Sequence, residues 1–169
     1  MNKEFRRSFR PRSDWFRNMT EPPASLELSA QKQSLCLEVE WFCLLSPPLA
    51  AEGAFYEGLW AAEVAELFIQ VEDGHYLEFN LAPNGAWWAC EFSASRVRTN
   101  LDLKRCGQGQ KLGPNRSALD ISLQELGKVQ SYNLTAISGT VDQRFYTFAD
   151  LPGKEPDFHQ PDHFLPWPP

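Results

Sequence analysis

Three consecutive runs near the middle of the chain alternate apolar and polar residues with a period of two. That is the spacing of a β-strand with one face on a core. In residues 64–71, Ala65, Leu67, Ile69 and Val71 alternate with Val64, Glu66, Phe68 and Gln70. In residues 75–81, Leu77, Phe79 and Leu81 alternate with Tyr76, Glu78 and Asn80. Residues 86–93 read as a third strand in which Trp87 and Trp88 fall on opposite faces. With Trp88, Cys90 and Phe92 in the core, Trp87 and Glu91 join the polar side. Asp73-Gly74 and Asn84-Gly85 lie between these runs and suit two-residue hairpin turns, which need positive backbone angles. This phase places Glu66, Tyr76, Glu78, Asn80 and Trp87 together on one face of a small sheet.

Strand patterns flank this centre. Residues 25–30 and 35–45 alternate, and in the second Leu35, Leu37, Val39, Trp41, Cys43 and Leu45 form one apolar row. Its far end, with Phe42 and Leu44 on the opposite row, reads as covered on both faces, and Pro47-Pro48 ends it. Residues 50–63 form a connection with room for a helical turn and carry Phe55, Tyr56 and Trp60. Residues 99–105 read as a strand, and 107–115, rich in turn formers, as a loop. Residues 118–123 alternate, and 132–138 with 144–149 read as a hairpin. Many short strands and no long helix predict an all-β fold, an antiparallel β-sandwich. Residues 1–24 read as an irregular basic N-terminal arm, with Trp15 and Phe16 as its anchors. Residues 25–169 read as a single β-sandwich domain ending in an extended proline-rich tail.

Composition narrows the function classes. The 169 residues fit one domain, and an apolar fraction of 43% is ample for a core. The formal charge of −6 is uneven: residues 1–17 carry six cations against two anions, a net of +4, so the remainder carries −10. An acidic body argues against nucleic acid as partner, because phosphate contacts need clustered Lys and Arg. No apolar run is long enough for a membrane span, and no signal-peptide pattern follows Met1. The cysteines Cys36, Cys43, Cys90 and Cys106 lack metal-site spacing and read as reduced thiols, which predicts a cytoplasmic protein.

The run YLEFNLAPNGAWWA is preceded by GLWAAEVAELFIQ and followed near the C-terminus by PGKEPDFHQPDHF. In these three blocks the chain resembles bacterial DOMON-like domains related to family 9 carbohydrate-binding modules. The resemblance covers about residues 26–164. It implies an immunoglobulin-like or jelly-roll sandwich with a ligand site on its concave face, and it implies no reaction. It also makes Trp60 a candidate ligand platform, since the corresponding connection lies beside the open face of the sheet. The family's usual aromatic pair near the last strand stands here as Phe145 and Tyr146. Some DOMON domains hold haem between Met and His, but Met1 and Met19 both precede the sandwich, so no haem or other cofactor is expected.

The leading expectation is non-catalytic binding of a saccharide or a sugar-like ligand, for a cytoplasmic protein a nucleotide sugar or short oligosaccharide. Trp60, Tyr76 and Trp87 are the candidates for stacking on sugar rings. Glu66, Glu78, Asn80 and Arg96 are those for polar contacts. The same set is also what the solvated side of a one-sided sheet looks like. An interaction module is the first alternative: the tail residues Phe164, Leu165 and Trp167 would dock a protein partner or a second copy as a homo-oligomer. The other is a carbohydrate-active enzyme. Glu66 and Glu78, opposed on neighbouring strands, would lie roughly 5 Å apart, the separation in retaining glycosidases. Asp157, His159, Asp162 and His163 suggest metal ligands by spacing. Pro156 and Pro161 break the helix that spacing needs, so Asp157 and His159 are expected to fasten the tail instead, and no metal is assigned.

Overall fold

The structure, a computed structural model, describes residues 5–124 and 126–168. It is an antiparallel β-sandwich. The strands are β1 (Phe5–Phe9), β2 (Ala24–Gln31), β3 (Ser34–Trp41), β4 (Val64–Val71), β5 (Tyr76–Leu81) and β6 (Trp87–Ala94). They continue as β7 (Val97–Arg98), β8 (Gly107–Gly113), β9 (Arg116–Ser122), β10 (Val129–Ser138), β11 (Arg144–Thr147) and β12 (Leu165–Pro166). One sheet runs β1-β2-β3-β9-β8. The other runs β11-β10-β4-β5-β6-β7, with β12 also paired to β10. Among the described residues no helix is long and apolar enough to cross a membrane. The helical segments are 3-10 turns at Leu59–Ala61 and Pro161–His163.

Alternation decides which side chains meet between the sheets. Leu26 and Leu28 of β2 and Leu35, Leu37 and Val39 of β3 face Leu67 and Ile69 of β4, Leu77, Phe79 and Leu81 of β5, and Leu134 of β10. All of these are essentially inaccessible, and burying each such side chain contributes about 1.5–3 kcal/mol. The opposite face of the second sheet is also covered. Val64, Phe68, Tyr76, Trp88, Cys90, Phe92 and Ile137 pack there beneath Trp15, Leu59, Leu151, Phe158 and Phe164. The sheet is therefore buried on both sides, a second apolar layer being supplied by the arm, the turn at Leu59–Ala61 and the tail.

Several expectations need correction. The arm is not irregular throughout: β1 pairs with β2, Phe9 lying opposite Leu26. Lys3 and Glu4 of the basic segment lie outside the described residues. Phe5 packs against Tyr132 and Trp167, and Trp15 is buried against Phe158, whereas Phe16 is exposed. β3 ends at Trp41, and Phe42, Leu44 and Leu45 beyond it are exposed. Residues 99–105 form no strand, while Gly107–Gly113, expected as a loop, is β8.

The glycines of β8 have a steric reason. A Cβ on Gly107 would lie 2.7 Å from the Trp87 ring. One on Gly109 would lie 2.7 Å from the same ring and 2.1 Å from the Gly85 carbonyl. Trp87 thus fills the space between the sheets, 4% exposed, with Phe55 set edge-on at 4.8 Å. The expectation that Trp87 belongs to the polar face is overturned. The tail is likewise occupied within its own chain: Phe164 is buried, Leu165 pairs with Tyr132, and Trp167 packs on Phe5 and Tyr132. Leu165 and Trp167 nevertheless stay partly exposed.

Candidate functional site

On the outer face of the second sheet the strand register fixes which side chains are neighbours. Glu66 of β4 lies opposite Thr135 of β10 on one side and Asn80 of β5 on the other. Glu78 lies opposite Phe68 and Cys90. The two glutamates are therefore diagonal neighbours rather than the directly opposed pair expected. Both are almost wholly buried, 3% and 5% exposed.

They line a cavity of about 400 Å³ left where the covering segments do not meet. Its aromatic and apolar wall comprises Trp60, Phe68, Phe92, Ile137, Phe145 and Phe158. Its polar wall comprises Glu66, Glu78, Arg96, Arg98 and His159. A larger hollow of about 820 Å³ at the end of β2, β3, β8 and β9 has mainly amide, hydroxyl and basic side chains around Asp120. It lacks aromatic walls and buried charge, and so has less chemistry to offer.

Hydrogen bonds around the cavity form two short chains. Thr135 Oγ1 donates to Glu66 Oε2 at 2.7 Å, and Asn80 Nδ2 donates to Glu78 Oε1 at 3.0 Å. Asn80 Oδ1 is fully buried and has no partner among the described residues. In the second chain the Arg96 backbone N–H donates to the Tyr76 hydroxyl at 3.0 Å, and that hydroxyl lies 2.9 Å from His159 Nδ1. The His159 tautomer sets the direction of that bond: with the imidazole proton on Nε2, the Tyr76 hydroxyl donates to Nδ1.

Nε2 lies 3.6 Å from Glu78 Oε2, too long for a hydrogen bond. Burial, with Arg96 nearby, lowers the His159 pKa to about 4, so the contact is not an ion pair at neutral pH. Burial also pushes both glutamates above the ordinary carboxylate range. The Glu78 charge adds to this for Glu66, while hydrogen bonds from Thr135 and Asn80 oppose it. The pair therefore retains a proton where isolated carboxylates would be ionised.

The tail closes one side of the cavity through its turn. Asp157 Oδ1 accepts from the His159 backbone N–H at 3.0 Å and from Arg96 at 2.7 Å. Ser95 Oγ donates to the His159 carbonyl at 2.9 Å. Among the described residues, no group of three or more His, Cys, Asp and Glu side chains could hold a metal ion.

Of the seven residues expected at the site, Trp60, Glu66, Glu78 and Arg96 line the cavity. Tyr76 does not offer a ring to it, being wholly buried and stacked on Phe92 at 4.9 Å. Its part is to hold His159. Asn80 lies behind the glutamates, and Trp87 is on the other side of the sheet. The side chain that replaces Trp87 is Trp88, which meets Trp60 edge-on at 5.2 Å and lies under the Arg98 guanidinium at 5.0 Å. Arg98, Phe68, Phe92, Phe145, Phe158 and His159 complete the wall. Phe68 was legible as a same-face residue, whereas Phe92 was expected on the core side, and no local signal brings the tail onto that face.

No family model matches the chain, and no curated protein matches it. Among solved structures, the chain is similar to a protein from Bacteroides uniformis ATCC 8492 described as a "putative carbohydrate-binding protein". The TM-score is 0.70 at 13% identity, covering 98% of this chain and 85% of that one. At that identity the likeness shows a shared fold.

Proposed function

We propose that the protein binds a saccharide, without transforming it, in the cavity over Glu66 and Glu78, in the manner of DOMON-like domains related to family 9 carbohydrate-binding modules. The observation that carries this reading is the composition of one cavity: aromatic walls around two buried carboxyls. Aromatic rings cover the C–H faces of a sugar, and carboxyls and guanidinium groups exchange hydrogen bonds with its hydroxyls. A volume of about 400 Å³ lies in the range of small-molecule sites. The description of the Bacteroides uniformis protein agrees with it. Affinity is expected to be weak, because each hydroxyl exchanges water for protein at small net gain.

Titration of a panel of mono- and disaccharides, followed by tryptophan fluorescence and calorimetry, tests the reading. Trp60→Ala should weaken the response about tenfold or more, by removing one ring from the wall. An affinity unchanged in Trp60→Ala, or no response to any sugar, would remove the support for this site.

One observation favours a second reading, cleavage of a glycosidic bond with Glu66 and Glu78 as acid and nucleophile. Two carboxyls share one cavity, and burial raises the pKa of each, as the general acid of such chemistry requires. Turnover of chromogenic glycosides that disappears in Glu78→Gln would establish it. Turnover that survives that substitution would dismiss the assignment.

A further inference from the structure

The floor of the cavity is unusual in what it can offer a ligand. Glu66 uses Oε2 toward Thr135 and Glu78 uses Oε1 toward Asn80, which leaves Oε1 of Glu66 and Oε2 of Glu78. The third polar atom is Asn80 Oδ1, fully buried and without a donor among the described residues. Asn80 is the register partner of Glu66 and is bonded to Glu78, so its amide sits between the two carboxyls, on the cavity's side of the sheet. Two carboxyl oxygens are therefore left toward the cavity, with the Asn80 amide oxygen buried behind them. Ionised carboxylates and an amide oxygen only accept hydrogen bonds, and a sugar hydroxyl supplies just one donor.

The charges around this point complete the argument. Arg96 is paired with Asp157, and Arg98 with Glu57 and the Trp88 ring. His159 is held neutral, with its pKa lowered to about 4. The remaining titratable groups facing the floor, Tyr76 and Cys90, have pKa values raised by burial to about 12 and about 11, and so are neutral as well. Among the described residues no Lys or Arg lies within ion-pair distance of Glu66 or Glu78, and Arg96 and Arg98, which line the same cavity, act on Glu78 only from further off.

We infer that the saccharide bound here carries a primary ammonium group, an amino sugar, seated with its N–H donors on Glu66 Oε1 and Glu78 Oε2. This rests on the saccharide reading above and narrows it. An ammonium supplies donors and no acceptor, the complement of the floor. Its charge favours ionisation of both carboxyls, so the proton the empty pair retains leaves to solvent on binding.

The test is calorimetric titration with glucosamine, glucose and N-acetylglucosamine at about pH 6.5, where an amine is protonated. Two buffers of different ionisation enthalpy report the proton released. Glucosamine should bind at least about tenfold more tightly than the other two, with net proton release. Glu66→Gln, checked for an intact melting transition, should narrow that ratio and reduce the proton release. Equal affinity for all three sugars, or glucosamine binding without proton release, overturns the ammonium assignment and leaves the saccharide reading standing. Failure of all three to bind overturns both.

Discussion

Trp87→Ala should lower the free energy of unfolding by about 3–5 kcal/mol, the cost of removing a large aromatic side chain from a closed core. For a chain of this size that corresponds to a fall in Tm of about 10 °C. The expectation follows from where the ring sits. Gly107 and Gly109 have no side chains with which to refill the space, and a Cβ on either would collide with the ring. The backbone at Trp87 is also held, its N–H donating to the Ala54 carbonyl and its carbonyl accepting from Tyr56, both at 2.9 Å. The site is thus poorly able to collapse around a cavity, which places the loss toward the upper part of the range. Saccharide affinity of the folded fraction should change far less than in Trp60→Ala, because Trp87 points to the other side of the sheet. Chemical denaturation with both variants checks this. A loss under about 1 kcal/mol would mean the ring is not clamped between the sheets as described.

The place of Trp87 also shows where the sequence stops being readable. β4 and β5 announce their own phase, because Leu67 and Ile69, and Leu77 and Phe79, alternate with polar or distinct neighbours. β6 does not, since Trp87-Trp88 looks equally apolar on either face. Its phase is then set by the hairpin. A two-residue Asn84-Gly85 loop would pair Leu81 with Trp88, but the structure pairs Leu81 with Trp87. The loop has three residues: the Gly85 N–H bonds to the Ala82 carbonyl at 3.0 Å, and Gly85 takes φ of 81°. That is a turn followed by a left-handed glycine. One extra residue exchanges the faces of the whole strand. The first hairpin has the same three-residue form, with Gln70 opposite Tyr76, yet there the alternation of β5 fixes the faces unaided.

Long-range coverage was the other illegible part. Glu66 and Glu78 were recognisable as same-face residues, but their burial comes from His159 and Phe158, some eighty residues further on, and from Trp60. Period-two patterns report which face a residue takes. They do not report what later segments lay across that face. In the same way Gly107-Gln108-Gly109 reads as a loop until the indole it accommodates is known.

Glu66→Gln should reverse its effect on stability with pH. The folded pair holds protons that the unfolded chain releases near 4.5, so each carboxyl favours the folded state most strongly at low pH. That contribution is lost as pH rises from 4.5 through the raised values. His159 works the other way: its pKa falls from 6.5 to about 4 on folding, so stability rises with pH across that interval and is level above it. The two slopes oppose each other up to pH 6.5, and above it the carboxyl pair acts without that opposition. Cys36, Cys90 and Tyr76, raised from 9.0, 9.0 and 10.0, add to the decline only at higher pH. The wild-type Tm should therefore decline between pH 6.5 and about 8.5, and Glu66→Gln should flatten that decline. The variant should be no more stable than wild type at about pH 5, and more stable by about 1–2 kcal/mol at about pH 8.5, where the wild type must ionise a second buried carboxyl. Melting curves across this range decide the matter. Parallel wild-type and variant profiles would show that Glu66 carries no retained proton, and with that the electrostatics assigned to the cavity floor would fail.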